Sequence, residues 1–190
     1  MGNKELHAMY SIDDIDIEKL DKETVMEKLM ELYTEKVYLL AYSFVKDRSL
    51  AEDISQEVFL KVFKYLDSFR AEATLKSWIY RITVNTSKDF LKKRSLKQLL
   101  FENSLLENVK ETESTETAFL TANRYEELLQ AILALPMKYR VVIVLYYFYD
   151  VKINEISSVI ELNTNTVKTR LSRGRELLRR RIVAKEGEVL

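Results

Sequence analysis

The 190-residue chain has no cysteine, a single histidine (His7), one proline and three glycines, Gly2, Gly174 and Gly187. Without cysteine there can be neither a structural disulfide nor a thiolate metal site. One histidine cannot build a multi-histidine zinc site, and His7 lies in what reads as a tail, so a Ser-His-Asp triad is excluded as well. Three scattered glycines leave no phosphate-binding loop and no dinucleotide fingerprint. One proline and few glycines imply long helices and little β-turn chemistry. The longest apolar run, Val141–Tyr149, has nine residues and cannot span a bilayer. The N-terminus MGNKELHAMYSIDD shows no basic stretch followed by an apolar one, so no signal peptide is expected and the protein should be cytoplasmic. What remains is a folding composition, 47% hydrophobic and 32% charged. No catalytic residues, cofactor or metal are expected.

Thirty basic and thirty acidic residues cancel, but they are segregated. Residues 164–185 hold eight Lys/Arg and one Glu, net +7, and residues 76–97 hold seven Lys/Arg and one Asp, net +6. The rest of the chain must therefore carry −13. One such block is commonly a solvated helix face. Two blocks, each on an amphipathic helix, point to a polyanionic partner touched twice.

Helical periodicity runs through the chain and predicts an all-α protein. Val25, Leu29, Tyr33, Val37, Leu40 and Phe44 form one apolar stripe over residues 22–46. Ser49-Leu50-Ala51-Glu52 reads as a capping box opening a second helix, with Leu50, Ile54, Val58, Val62 and Leu66 inward. Asp67–Ala73 reads as a loop. Thr74 can cap a third helix carrying Leu75, Trp78, Ile79, Ile82 and Leu91 on its buried side.

These three helices can share one core, giving a tail over 1–20 and a first domain over 21–95. Residues 96–121 read as an acidic linker, with Glu102, Glu107, Glu111, Glu113 and Glu116 among Ser, Thr and Asn. A second domain follows over 122–185. Its Tyr125–Leu135 segment is amphipathic and stops at Pro136. Val141–Tyr149 suits a buried strand or a buried helix, and with no partner strand elsewhere a helix is the better reading.

The last 40 residues carry the sharpest local signal. Ile153–Ile160 forms a short helix with Ile153, Ile156, Val159 and Ile160 inward. Glu161-Leu162-Asn163 makes a tight turn. Asn163 can cap the next helix, whose seam is Val167, Leu171, Gly174, Leu178 and Ile182. Two helices joined by a three-residue turn, the second one basic, describe a helix-turn-helix. Asn165, Thr169, Ser172 and Arg173 point away from the seam, flanked by Lys168 and Arg170. Short polar side chains suit base edges and the cations suit phosphates. The plain alternative is a helical hairpin with a charged outer face.

Several motifs in order resemble a known family. Leu135-Pro136-x-x-Tyr139-Arg140, Leu145-Tyr146-Tyr147, Asn154-Glu155-Ile156 and Thr166-Val167-Lys168-Thr169-Arg170-Leu171-x-Arg173-Gly174-Arg175 resemble region 4 of bacterial extracytoplasmic-function sigma factors. Ala51-Glu52-Asp53-Ile54-x-Gln56-Glu57-Val58-Phe59 resembles region 2.2. Phe69-Arg70-x-Glu72-Ala73-x-Leu75-Lys76-x-Trp78-Ile79-Tyr80-Arg81-Ile82-x-x-Asn85 with Asp89-Phe90-Leu91 resembles regions 2.3 and 2.4. The resemblance covers about residues 20–185. The chain departs from the pattern at Glu161 and Asn165, where the family usually has glycine; Asn tolerates a left-handed backbone well and Glu poorly, so the turn is expected to be strained or reshaped.

The resemblance implies a subunit that binds core RNA polymerase, reads two promoter elements and helps open the duplex. Asn165, Thr166, Lys168, Thr169, Arg170 and Arg173 would then face the minus-35 element. Arg70, Tyr80, Arg81, Asn85, Lys88 and Lys92 would face the minus-10 element, although Asn85 and Asp89 can instead brace backbone. Asp53, Gln56, Glu57, Leu60 and Lys61, off the buried stripe, would meet the beta-prime clamp helices; an ordinary exposed surface is an equal reading of that face. Further partners implied are the beta flap and an anti-sigma protein, membrane-bound for many members. The loop Phe69–Lys76 lies where the family holds a flipped base. Trp78 sits on the apolar stripe and is expected in the core, which leaves Tyr80, off that stripe, as the stacking candidate.

Three rival readings account for less of the sequence. A self-sufficient helix-turn-helix regulator leaves the region 2.2-like residues unexplained. A carboxylate nuclease would have to use Asp13, Asp14 and Asp16, which lie in the tail. A helical adaptor leaves two basic helices without a purpose.

Overall fold

A computed structural model describes residues 20–70, 73–102 and 124–187. Among the described residues every regular element is helical. Helix α1 spans Lys22–Val45, α2 Arg48–Tyr65 and α3 Leu75–Glu102. Helix α4 spans Arg124–Leu133, α5 Met137–Ile143, α6 Ile153–Ile160 and α7 Thr164–Gly187. A 3₁₀ turn at Leu66–Ser68 ends α2, and a π-helical turn at Val144–Phe148 continues α5.

The first domain follows its apolar stripes. Val25, Leu29, Tyr33, Val37 and Leu40 of α1 meet Ile54, Val58 and Val62 of α2 and Ile79 and Val84 of α3, all buried. Asp21 caps α1, its carboxylate accepting from the Thr24 amide at 2.8 Å. Helix α2 begins before the expected capping box: Asp47, not Ser49, is the N-cap and accepts from the Leu50 amide at 3.1 Å. A carboxylate at this position also faces the positive end of the helix dipole, which a serine hydroxyl cannot match. Thr74 does cap α3, accepting from the Ser77 amide at 3.2 Å. Helix α3 then runs unbroken to Glu102, through the first residues of the expected linker. The linker glutamates Glu107, Glu111, Glu113 and Glu116 lie outside the described residues.

In the second domain Val141–Phe148 is helical, ending in a π-turn, and Tyr149 caps it. Val141–Leu145 and Tyr149 are all buried, as a helix enclosed on several sides requires. Glu161 ends α6 in the left-handed region at φ 59° and ψ 49°. A non-glycine residue there costs about 1 kcal/mol. Ser157 compensates by closing the turn, its hydroxyl donating to the Leu162 carbonyl while the Leu162 amide returns to the Ser157 carbonyl at 3.0 Å. Asn163 caps α7, accepting from the Thr166 amide at 2.8 Å. Asn165 has ordinary helical backbone; among the described residues only Lys46, Asp150 and Glu161 combine a side chain with positive φ.

Gly174 belongs to the α5–α7 seam for a steric reason. A Cβ there would stand 3.0 Å from Ile143 Cγ1 and 3.4 Å from Tyr139 Cβ. Ile143 is 1% exposed, so a side chain at position 174 would have to displace a packed core residue.

The two domains share a continuous core. Buried Arg140 binds across the join: Nε donates to the Ser43 carbonyl of α1, and Nη1 donates to Leu133 and Leu135 carbonyls at 2.6 and 3.0 Å. Those last two are carbonyls left unpaired where α4 ends before Pro136. Burial pulls the Arg140 guanidinium below its ordinary pKa, and three charge-assisted bonds offset that cost. Tyr149 stacks on Tyr80 at 5.0 Å, and its hydroxyl donates to the Lys36 carbonyl at 2.7 Å.

Candidate nucleic-acid and polymerase interfaces

Capping by Asn163 sets the phase of α7. Val167, Leu171 and Gly174 turn inward, so Asn165, Lys168, Thr169 and Arg173 are exposed while Thr166 and Arg170 are half-buried. Five of these six, all but Lys168, border a shallow hollow of about 300 Å³ together with Lys138 and Tyr139. The hollow combines short polar groups at the helix start with cations at its margin, a chemistry suited to base edges framed by phosphates. Lys138 and Tyr139 were missed in the sequence because they come from α5, which the helix-turn-helix pattern leaves out.

The second surface lies on α3. Arg81, Asn85, Lys88 and Lys92 form the expected stripe; Arg81, Lys88 and Lys92 are exposed and Asn85 is half-buried. Arg70 is exposed before the loop, away from this stripe in sequence and not part of the groove. Between α2 and α3 runs an open groove of about 260 Å³, bordered by Lys61, Tyr65, Trp78, Arg81, Ile82, Asn85 and Thr86. It has cations, an amide and aromatic rings in one place, the components that hold unstacked bases.

Tyr80 is not on this surface. It is 1% exposed, edge-on to Tyr33 at 5.9 Å and stacked on Tyr149, and burial pushes its phenol pKa far up. In this structure Tyr80 is therefore core and not the exposed stacking residue expected from the sequence. Helix α3 is buried on two sides, one against α1 and α2 and the other against the second domain, and a single-stripe reading recovers only the first. Trp78 has the reverse character. It packs against Phe69 at 5.2 Å as expected of core, yet it stays half-buried and lines the groove.

On α2, Asp53, Gln56 and Leu60 are exposed and Glu57 is half-buried. Leu60 is 66% exposed, with Phe63 at 41% and Tyr65 at 46% along the same helix. Exposed apolar side chains among charges are the composition of a protein interface. Lys61 departs from that face. It pairs with Glu57 at 3.5 Å but donates to Thr86 Oγ1 of α3 at 3.1 Å, so its charge enters the groove. Phe63 and Tyr65 were legible as apolar residues off the buried stripe but were not singled out.

Helix α6 lies along α3. Glu155 accepts at one oxygen from the Lys152 amide at 3.1 Å, capping its own helix, and at the other from the Thr74 and Ser77 hydroxyls at 3.1 and 3.2 Å. Burial pushes its pKa up, but these three donors and the charge of Lys76 together hold it below the ordinary value. At the other end, Arg81 pairs with Glu161 at 3.3 Å and Lys88 donates to the Ile160 carbonyl at 3.4 Å. Among the described residues, no group of three or more acidic or histidine side chains could hold a metal ion, and no helix is long and apolar enough to cross a membrane.

Comparison with known proteins agrees in both halves. Residues 29–96 match Sigma-70 region 2, and residues 125–178 match Sigma-70, region 4. The chain is 37% identical over 144 residues to RNA polymerase sigma factor SigV of Bacillus subtilis, covering 75% of this chain and 81% of that one. It is 32% identical over 162 residues to the ECF RNA polymerase sigma factor SigW of the same organism, covering 81% and 87%. Among solved structures, the sigma factor RpoE of Bartonella quintana, in complex with the anti-sigma factor NepR, has a similar fold with a TM-score of 0.66, 20% identity and coverage of 82% and 95%. CnrH, in complex with the cytosolic domain of CnrY, gives 0.61 at 18% identity, covering 91% and 96%. With both sigma regions in order and two basic helices at the expected places, the chain belongs to the sigma-70 family, in its extracytoplasmic-function branch: it binds core RNA polymerase and directs transcription initiation at promoters.

Proposed function

We propose that α7 reads the minus-35 element through Asn165, Thr166, Thr169 and Arg173, with Lys168 and Arg170 on phosphates and Lys138 and Tyr139 as flanking contacts. The groove between α2 and α3 takes the minus-10 element. Arg81 and Asn85 are its readers, Lys88, Lys92 and Arg70 meet the backbone, and Lys61 belongs with them. Asp53, Gln56, Glu57 and Leu60, joined by Phe63, form the surface for the beta-prime clamp helices, and the second domain meets the beta flap. The observation that supports this most is that two separate basic helices each border an open hollow lined with polar and aromatic side chains. The working units are the domains over 21–95 and 122–185, joined by the acidic linker over 96–121. The protein works in the cytoplasm as a specificity subunit with no catalysis of its own. An anti-sigma protein is its regulator, a reading supported by the complexes of RpoE with NepR and of CnrH with CnrY.

A gel shift separates this from a self-sufficient regulator. Duplex promoter DNA should be bound tightly and specifically only when core polymerase is added. Specific nanomolar binding by the protein alone would favour the regulator.

A further inference from the structure

The proposed reading of α7 uses three of the eight cations in residues 164–185, Lys168, Arg170 and Arg173, and leaves Ser172 without a part. At about 100° per residue the seam of Val167, Leu171 and Gly174 faces inward, and Arg170 and Arg173 stand on the flank that borders the hollow. Lys168, Ser172, Arg175 and Arg179 follow at spacings of four, three and four on the other flank, and all four are exposed. Asn165 and Thr169 stand on the outward line between the two flanks. Among the described residues no ion pair joins Lys168, Arg175 or Arg179, and the one glutamate of residues 164–185, Glu176, pairs with Arg180. Arg175 and Arg179, one turn apart, therefore repel each other, a cost that a partner's negative charge cancels.

We propose that Lys168, Ser172, Arg175 and Arg179 form a second phosphate-binding row, which holds the DNA strand across the major groove from the one held by Arg170 and Lys138. The inference rests on the reading of α7 as the minus-35 helix. A helix lying in that groove has a phosphate strand on each side, so cations on two nearly opposite flanks meet two strands. The short Ser172 hydroxyl donates to a phosphate oxygen and lets the helix approach closely. From Lys168 to Arg179 the row runs about 16 Å at ~1.5 Å per residue, past the groove's width of about 12 Å. Arg179 also stands beyond residue 178, where the match to region 4 ends. The row thus carries the backbone contact past the bases that are read, and it adds affinity without sequence preference.

Arg175→Gln with Arg179→Gln removes two charges from exposed positions, and Arg175→Lys with Arg179→Lys keeps them. Holoenzyme binding is measured across a salt series, on a promoter duplex it initiates from and on the same duplex with the minus-35 element scrambled. The glutamine variant should lower the slope of log affinity against log salt by about two and weaken both duplexes alike, by roughly tenfold at about 0.1 M salt. The lysine variant should keep the wild-type slope. A methylphosphonate scan locates the contacts: neutral phosphates beside the element should weaken the wild type on both strands, and the glutamine variant should be indifferent on one of them. An unchanged slope overturns the proposal, as does wild-type sensitivity confined to one strand. The scan of the wild type decides alone should the glutamine variant lose helicity. A glutamine variant that instead loses affinity for core polymerase also overturns the proposal, because it assigns the row to an acidic protein surface. Arg173→Ala, run in parallel, reports on the reading beneath: unchanged discrimination between the two duplexes would sink that reading, whereas lost discrimination with an unaltered slope in the glutamine variant would sink the row alone.

Discussion

The two basic helices carry nearly equal charge, +6 over residues 76–97 and +7 over residues 164–185, and the fold uses them in opposite ways. Helix α7 is buried along one seam and leaves its polar face open. Helix α3 is buried on two faces, through Ile79 against the first core and through Tyr80 against Tyr149 of the second domain. Two cations of its remaining stripe, Arg81 and Lys88, bond to α6. Net charge alone does not show which basic surface is available; that depends on what packs beside it.

This contrast is sharpest at Tyr80 and Arg173, both of which the sequence nominated for DNA. Tyr80→Ala should destabilise the protein by about 3–5 kcal/mol, as removal of a buried aromatic does, and lower the thermal midpoint by many degrees. Arg173→Ala should leave that midpoint unchanged and weaken promoter binding by holoenzyme by about 1–3 kcal/mol. Equal thermal effects in the two variants would erase the distinction. Lys168→Ala, on the same helix, should instead weaken binding to all sequences and reduce the salt slope by about one.

The surfaces of α2 make a second, smaller contrast. Gln56→Ala with Leu60→Ala should lower affinity for core polymerase while leaving helicity and thermal midpoint intact, since both residues are exposed. Lys61→Ala should spare polymerase affinity and weaken holoenzyme binding to promoter DNA, because its ammonium donates to Thr86 in the groove. Titration of core polymerase with each labelled variant checks both, and an interchange of the two effects would reassign Lys61 to the polymerase face.

The smallest expected effect concerns pH. Glu155 is held below its ordinary pKa of 4.5 in the folded protein. A depressed carboxylate stabilises the fold fully above that ordinary value and loses the contribution as pH falls toward the folded-state value. The thermal midpoint of Glu155→Gln should therefore lie slightly below wild type at pH 7 and converge with it below pH 4.5. Parallel midpoint curves across that range would contradict the assigned hydrogen bonds.

The sequence was most informative where one apolar stripe meets one partner. The stripes of α1 and α2, the Asn163 cap and the seam at Val167, Leu171 and Gly174 were all legible because each reports a single contact at helical spacing. Helix α3 was harder to read. Its second buried face uses Thr83 and Ser87, whose hydroxyls donate to carbonyls one turn back, and Ser77, whose hydroxyl donates to Glu155 of α6; all three look exposed in a hydropathy pattern. Tyr80 appeared free for the same reason. The N-cap at Asp47 rather than Ser49 reflects two good capping residues standing two apart, of which Asp47 has the extended backbone of a cap. Lys138 and Tyr139 could be found only once α5 had been laid beside α7.

The most direct test of the account is transcription in vitro by core polymerase supplemented with this protein on genomic DNA, with every transcript start sequenced. The account predicts new starts that share two upstream elements, with the upstream element relaxed by Arg173→Ala and the downstream one by Asn85→Ala. Starts identical to those of core polymerase alone, or starts indifferent to both substitutions, would contradict it.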